Sequence, residues 1–113
     1  MTSAFSADTR SDAGNIWVVR VKGDVDVSNA PKLEAIIEQV ADSAPSRVLV
    51  ELEDVSFLDS SGIRALVLAQ RRLEEVGAPL VIDGMSAAVE RVLEVAGLID
   101  SFTTGDGDGS SRS

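Results

Sequence analysis

The sequence predicts an α/β protein with a mixed, mainly parallel β-sheet of about four to five strands and about three to four α-helices. Short runs rich in Val, Ile and Leu alternate with longer segments whose apolar residues recur at helical spacing. Strands that alternate with helices form right-handed βαβ units, which place neighbouring strands parallel. A length of 113 residues is typical of one such domain.

The first strands are predicted near the N-terminus. Residues 16–21 are short, rich in β-branched side chains and followed by Gly23, a pattern typical of a strand. Residues 5–10 are a candidate first strand that pairs with this one through the turn-rich residues 11–15. We therefore interpret residues 1–15 as an N-terminal segment that contains a strand and a turn.

The first helix is predicted to follow Ser28-Asn29-Ala30-Pro31, which supplies capping side chains and a first-turn proline. The apolar residues that follow keep helical spacing and form one stripe: Leu33, Ile36, Ile37, Val40 and Ala44. Pro45 is predicted to end this helix. The near-continuous apolar run of residues 47–52 then favours a central strand covered on both faces.

The alternation continues in the second half of the chain. Residues 63–76 keep helical spacing up to Gly77, and residues 79–82 form another buried strand. Ser86 is a predicted cap for a third helix that ends at Gly97. One face of this helix carries Met85, Val89, Val92, Leu93 and Ala96.

Residues 16–102 are thus the predicted folded domain. Residues 103–113 contain no large apolar side chain, and we expect them to form a disordered, acidic tail rich in Gly and Ser. No run of the sequence approaches the roughly 20 apolar residues that span a bilayer, which favours a cytoplasmic protein.

The composition argues against several classes of function. The formal net charge is -9, from 19 acidic and 10 basic side chains, and a surface of that sign repels phosphate backbones and anionic lipids. We therefore expect no direct binding to nucleic acid or membranes. The sequence has no cysteine and no histidine, which removes Cys/His metal sites, thiol nucleophiles and imidazole bases. A protein that is not an enzyme and needs no cofactor or metal is the expectation.

The motif Asp59-Ser60-Ser61-Gly62 lies between a predicted strand end and a helix start, where ligands and partners commonly meet α/β sheets. It could be a plain helix cap, since Asp and Ser are preferred N-cap residues. A serine nucleophile lacks a base, because neither lysine of the chain has Ser-x-x-Lys spacing. A Mg²⁺ ion at Asp24, Asp26 and Asp59 is an alternative that nothing in the spacing requires. The third interpretation is a phosphoacceptor, since a helix N-terminus holds a phosphate without unfolding the domain.

Three segments resemble a known family: residues 22–26, residues 55–63 around the Asp-Ser-Ser-Gly motif, and residues 89–98. Over residues 16–102 the chain resembles the STAS domain of bacterial anti-sigma factor antagonists, which implies a STAS-like fold. The resemblance also implies partner switching. In that cycle the unphosphorylated antagonist binds an anti-sigma factor that is also a serine kinase, and so frees a sigma factor until the kinase phosphorylates the antagonist.

By position, the resemblance implies that Ser60 is the phosphoacceptor. The residues that flank it are then Asp26, Asp59, Ser61 and Gly62. Arg64 stands where similar proteins often carry a small residue, and Asp24-Val25 where the family commonly has Glu-Leu. The family also includes subunits of lipid-transport complexes and domains of anion transporters, so a constitutive scaffold or transport-complex subunit is the alternative function.

The predicted helix of residues 63–76 offers a candidate docking surface. Projection at about 100° per residue gives this core stripe: Ala65, Leu66, Ala69, Leu73 and Val76. Ile63, Val67 and Leu68 fall outside it. Either the curvature of the sheet or the C-terminal segment of residues 98–102 covers them, or Ile63 and Val67, with Arg64, form a patch that binds the partner. We expect the chain itself to be a monomer or a weak dimer.

Overall fold

The computed structural model of the protein describes residues 4–103. Its strands and helices are β1 (Ser6–Asp12), β2 (Ile16–Val25), α1 (Ala30–Asp42), β3 (Arg47–Leu58), α2 (Ser60–Glu75), β4 (Leu80–Met85), α3 (Ala87–Val95) and α4 (Ile99–Thr103). Within this range the four strands form one sheet in the order β1-β2-β3-β4. β1 is antiparallel to β2, whereas β2, β3 and β4 run parallel. The predicted α/β class and mixed, mainly parallel sheet are confirmed.

The N-terminal segment forms the predicted hairpin. β1 pairs with β2 from Ser6 opposite Lys22 to Asp12 opposite Ile16. A short 3-10 turn, Ala13–Asn15, joins the two strands. β1 therefore extends two residues beyond the predicted strand, into the segment predicted as turn.

A single apolar core lies on one face of the sheet. The buried apolar side chains of α1, α2 and α3 all belong to one cluster, together with Phe102 of α4. The strands contribute Val19, Val21, Val25, Val48, Val50, Leu52, Val55, Leu58, Leu80 and Ile82 to the same cluster. Aliphatic side chains thus fill the core between one layer of helices and one sheet, in agreement with the low aromatic content.

On the opposite face of the sheet, the prediction that the central strand is covered on both faces is wrong. Residues 47–52 alternate between half-buried and buried positions, so the central strand β3 is fully covered on one face only. On the other face Arg20 Nε of β2 donates to Glu51 Oε1 of β3 over 3.0 Å. This hydrogen bond and the charge of Glu51 raise the pKa of Arg20. The apolar run was misleading because, within residues 4–103, the helices pack on the other face and ion pairs between strands lie on this one.

Three predicted core residues lie just beyond helix ends and are exposed. Ala44 is two residues past the end of α1 and has a left-handed φ of 52°, so the helix ends before Pro45 is reached. Val76 follows the last residue of α2 and is 37% exposed. Ala96 follows the last residue of α3. Helical periodicity stops where each helix ends, so these side chains leave the core stripe. The remaining predicted core positions are buried or half-buried, but Met85, predicted on the third helix, is the last residue of β4.

The C-terminal part of the described chain is helical. α4 includes residues 99–102 of the C-terminal segment predicted as a possible cover for α2. Its Phe102 is fully buried. The predicted tail lies outside the described residues except for Thr103, the last residue of α4. Among the helices of residues 4–103, none combines the length and the apolar character needed to cross a bilayer.

Candidate functional site at the start of α2

The parallel strands β2 and β3 end side by side. Val25 and Leu58 are register partners, and the Asp59 amide N–H donates to the Val25 carbonyl oxygen over 3.2 Å. The residues that follow, Asp26 and Asp59, therefore leave the sheet at the same edge. The structure brings these two predicted site residues together with the start of α2.

Asp59 is the N-cap residue of α2. Its Oδ1 atom accepts hydrogen bonds from the backbone N–H groups of Ser61 and Gly62, with N···O distances of 2.8 and 3.1 Å. Its backbone is extended, as expected for an N-cap. The cap interpretation therefore holds for Asp59, which satisfies two of the N–H groups that every helix start leaves unpaired.

Ser60 is the first residue of α2 and is exposed, whereas Ser61 is half-buried. Within residues 4–103 the Ser60 hydroxyl has no hydrogen-bond partner. Because Asp59 already caps the helix, the Ser60 hydroxyl can be modified without removing a cap.

Gly62 lets the first turn of α2 sit directly on the strand ends. A Cβ atom at this buried position would overlap Leu58 Cδ1 and would lie 3.0 Å from Val25 Cγ1. Any side chain would force α2 away from the sheet or displace Leu58. The glycine thus sets how closely Ser60 approaches the edge where Asp26 and Asp59 lie.

Asp26 organises the loop that leads into α1. Its Oδ1 atom accepts from the Ser28 N–H at 3.0 Å and from the Ser28 hydroxyl at 2.6 Å. The hydrogen bond from the hydroxyl is the main reason that the pKa of Asp26 is lowered. Asp26 therefore keeps a negative charge close to the start of α2.

Asn29 does not play its predicted role. It is the N-cap residue of α1, yet its side chain makes no capping hydrogen bond. Instead its amide nitrogen donates to the Asp24 carbonyl oxygen at 2.9 Å, and its Oδ1 atom accepts from the Asp26 N–H at 3.0 Å. Asn29 thus holds the loop against the end of β2, and the prediction of a side-chain cap from Ser28 and Asn29 was wrong.

The predicted docking residues differ in exposure. Arg64 is exposed one turn after the helix start, whereas Ile63 and Val67 are half-buried and pack against the core. On their side of α2, Gln70 Nε2 donates to the Ser101 carbonyl oxygen of α4 over 2.9 Å. The C-terminal segment therefore lies beside this side of the helix.

Two exposed apolar side chains near the same edge were missed by pattern analysis. Val27, in the loop between β2 and α1, is 73% exposed. Phe57, near the end of β3, is 51% exposed. Val27 could have been noticed because it interrupts a polar capping segment. Phe57 could not, because strand alternation places it on the same face as the buried Val55, and only the register shift between these two residues changes that.

The magnesium hypothesis gains no support from this geometry. Among residues 4–103 no three acidic side chains are grouped so that they could hold a metal ion. The carboxylate of Asp59 binds the first N–H groups of α2, and that of Asp26 binds Ser28. Both groups therefore have structural partners of their own.

Comparisons with known proteins agree with this architecture. A family model described as STAS domain matches residues 8–107. The anti-sigma-B factor antagonist of Staphylococcus aureus (strain NCTC 8325 / PS 47) is 32% identical over 91 residues, which cover 80% of this chain and 84% of the relative.

Solved structures give the same result. An anti-sigma factor antagonist from Mycobacterium paratuberculosis superposes with a TM-score of 0.75 at 29% identity, over 88% of this chain and 83% of that one. The Bacillus cell fate determinant SpoIIAA in its phosphorylated form gives a TM-score of 0.67 at 23% identity, over 82% and 85% of the two chains. This second likeness shows the fold alone.

The family match spans most of the chain and includes the start of α2 with its Asp59 cap. Anti-sigma factor antagonists of this family are generally not enzymes, in keeping with a chain that has no histidine or cysteine. On the family match and the Staphylococcus relative, the chain belongs to the STAS-domain family of anti-sigma factor antagonists.

Proposed function

We propose that this chain is an anti-sigma factor antagonist whose activity is controlled by phosphorylation. When unphosphorylated it binds an anti-sigma factor that is also a serine kinase, and this binding frees a sigma factor for transcription. Phosphorylation of Ser60 by the same kinase inactivates it. The names of the Staphylococcus and Mycobacterium relatives support the antagonist role.

The observation that carries this proposal is the division of roles between Asp59 and Ser60. Asp59 supplies the helix cap, so the exposed Ser60 hydroxyl has no structural duty within the described residues. The hydroxyl attacks the γ-phosphorus of ATP held by the kinase. Its oxygen gains a bond to phosphorus, the bond to the β-phosphate oxygen breaks, and the hydroxyl proton passes to a base of the kinase.

The added phosphate changes the surface while the fold persists. It carries about -1.5 to -2 charges, and the N-terminus of α2 stabilises an anion locally. For the partner the effect is unfavourable, because the phosphoserine, Asp59 and Asp26 face the nucleotide phosphates that remain on the kinase after transfer. Like-charge repulsion of this kind releases the antagonist.

The partner contacts α2 beside the phosphoacceptor. Arg64 is exposed there, and its charged guanidinium group can donate several hydrogen bonds to a partner. The accessible parts of Ile63 and Val67 form the neighbouring apolar surface. The chain itself supplies no catalytic residue and needs no cofactor or metal. It acts as a monomer or weak dimer, and it acts in the cytoplasm, where ATP and sigma factors are found.

The proposal is tested by binding titrations with purified serine-kinase anti-sigma factors of the same genome. Ser60→Ala should bind the kinase as tightly as wild type. Ser60→Asp should bind about a hundredfold more weakly, equivalent to about 3 kcal/mol. Ser61→Ala is the matched control, because this half-buried neighbour should leave the affinity unchanged.

Equal affinity of Ser60→Asp and wild type would contradict the charge switch. If no serine-kinase anti-sigma factor binds the wild-type chain, the alternative of a constitutive scaffold or transport-complex subunit is favoured instead.

A further inference from the structure

α2 presents an exposed stripe that begins at the proposed phosphoacceptor. The stripe consists of Ser60, Arg64, Leu68, Arg71 and Glu75, at successive spacings of four, four, three and four residues. At about 100° per residue these positions fall within an arc of about 80°. Leu68 is its apolar member and is 36% exposed. The stripe therefore offers one apolar contact point two turns from Ser60.

A groove of about 570 Å³ separates this stripe from α1. Ile37 of α1 and Ala69 of α2, both buried, form its floor. Ala35 and Leu68 line its open sides. Both helices begin at the edge of the sheet where β2 and β3 end. The groove therefore has an apolar base, and the exposed stripe on its α2 side runs from Leu68 back to Ser60.

The two sides of the groove differ in charge. The α1 side carries Glu34 and Glu38, and the α2 side carries Arg71, Arg72 and Glu75, of which Glu75 lies 3.6 Å from Arg72. Arg72 Nε donates to both carboxylate oxygens of Glu38, at 3.0 and 3.1 Å, which raises the pKa of Arg72. Glu34 and Arg71 form no ion pair within residues 4–103. These two charges remain available to a partner on opposite sides of the groove.

We infer that this α1–α2 groove binds an amphipathic helix of the anti-sigma factor, an inference that rests on the proposed function. The apolar ridge of that helix packs on Leu68. Basic side chains on one flank face Glu34, and acidic side chains on the other flank face Arg71. Grooves between packed helices accept a further helix in this way, and the charge pattern fixes its direction and register.

The groove explains how one docking event presents the phosphoacceptor. A helix seated beside Leu68 lies along α2, and Ser60 is at the end of the same stripe. Val27, 73% exposed in the loop that enters α1, adds an apolar contact near that end. The groove thus supplies affinity that does not depend on phosphorylation, and Ser60 supplies the switch.

The inference is tested by Leu68→Glu in the full chain, with Val76→Glu as matched control. Val76 is 37% exposed, similar to Leu68, but lies just past the end of α2 and outside the groove. The probe is the purified anti-sigma factor kinase that binds wild type in the titrations above. Leu68→Glu should weaken binding at least thirtyfold and Val76→Glu less than threefold, with both variants folded by circular dichroism.

A second measurement does not depend on a disruptive substitution. Since the chain has no cysteine, Leu68→Cys and Val95→Cys can each be labelled once with an environment-sensitive fluorophore. Val95 is 84% exposed on α3 and serves as the control. Binding of the kinase should shift the emission of the label at position 68 to shorter wavelength and leave the label at position 95 unchanged.

Unchanged emission at position 68 on kinase binding, or full affinity of a folded Leu68→Glu variant, would overturn the groove assignment and leave the proposed function standing. If the wild-type chain binds no anti-sigma factor kinase, the proposed function fails and the groove assignment fails with it.

Discussion

Two serines of this domain stand where a helix follows a parallel strand, and they differ in what their hydroxyl groups do. Ser86 is the N-cap of α3: its Oγ accepts from the Val89 N–H at 3.2 Å and donates to the Val55 carbonyl oxygen at 2.6 Å. Ser60 comes one residue after the N-cap of α2, is exposed, and leaves capping to Asp59.

The two serines differ because a different residue caps each helix. Phosphorylation of Ser86 would remove the hydroxyl hydrogen that it donates to the Val55 carbonyl oxygen at this half-buried position. Placing Asp59 at the cap moves the serine to the first helical residue, where its hydroxyl faces solvent. The same local chemistry therefore gives a capping serine at position 86 and an exposed serine without a hydrogen-bond partner among the described residues at position 60, which is the proposed phosphoacceptor.

The largest stability effect is expected where α2 meets the strand ends. Gly62→Ala should lower the free energy of unfolding by about 2 kcal/mol, because its Cβ atom would overlap Leu58 in the packed core. This loss outweighs the gain in helix propensity of about 1 kcal/mol. Urea denaturation measures it, with Ser61→Ala as the neighbouring control. A Gly62→Ala protein as stable as wild type would show that α2 is not seated on the strand ends as described.

Removal of the Asp59 cap should have the next largest effect. Asp59→Ala should lower the free energy of unfolding by about 1.5 kcal/mol, because two N–H groups at the start of α2 lose their acceptor. Asp59→Asn should recover most of this loss, since an amide oxygen also accepts these hydrogen bonds. If thermal unfolding shows Asp59→Ala to be as stable as wild type, the Asp59 cap does not explain why the Ser60 hydroxyl has no capping role.

Ser86→Ala should lower the free energy of unfolding by about 1 kcal/mol, because the N-cap acceptor of α3 and the hydrogen bond to Val55 are both removed. Amide hydrogen exchange should show the loss locally, as faster exchange at Val89. Unchanged exchange at this amide would mean that Ser86 is no more structural than Ser60, which would remove the basis of the comparison.

The smallest effect is expected at the proposed phosphoacceptor itself. Ser60→Ala should change the free energy of unfolding by less than about 0.5 kcal/mol, as is usual for exposed positions without partners. Denaturation of this variant beside Ser86→Ala compares the two serines directly. A Ser60→Ala loss as large as that of Ser86→Ala would show that the Ser60 hydroxyl also has a structural role.

Much of this arrangement could be predicted from sequence because it is local. The alternation of apolar runs and helical stripes predicted the order of the strands and helices up to α3 but not the short helix α4. The spacing of Leu66, Ala69 and Leu73 predicted the buried side of α2. At the site, the position of the motif between a strand and a helix predicted that Asp59 could cap and that Ser60 would stand at the helix start.

What sequence could not predict depends on contacts between distant elements. The exposure of Leu68 depends on how α1 packs against α2, and the partial burial of Ile63 and Val67 depends on the core and on the neighbouring α4. Asn29 looked like a cap because Asn is common at that position. Its hydrogen bonds to Asp24 and Asp26 appear only when the end of β2 is in place.

We propose that Ser60 accepts phosphate because its hydroxyl does not cap α2. Mapping the phosphorylated residue tests this proposal. The wild-type chain and the Ser60→Ala, Ser61→Ala and Ser86→Ala variants are incubated with an anti-sigma factor kinase that binds the chain, and with ATP. The phosphate is then located by mass spectrometry. The expected result is one phosphate, on Ser60, in wild type, Ser61→Ala and Ser86→Ala, and none in Ser60→Ala. Phosphate on Ser61 or Ser86, or phosphate that persists in Ser60→Ala, would contradict it.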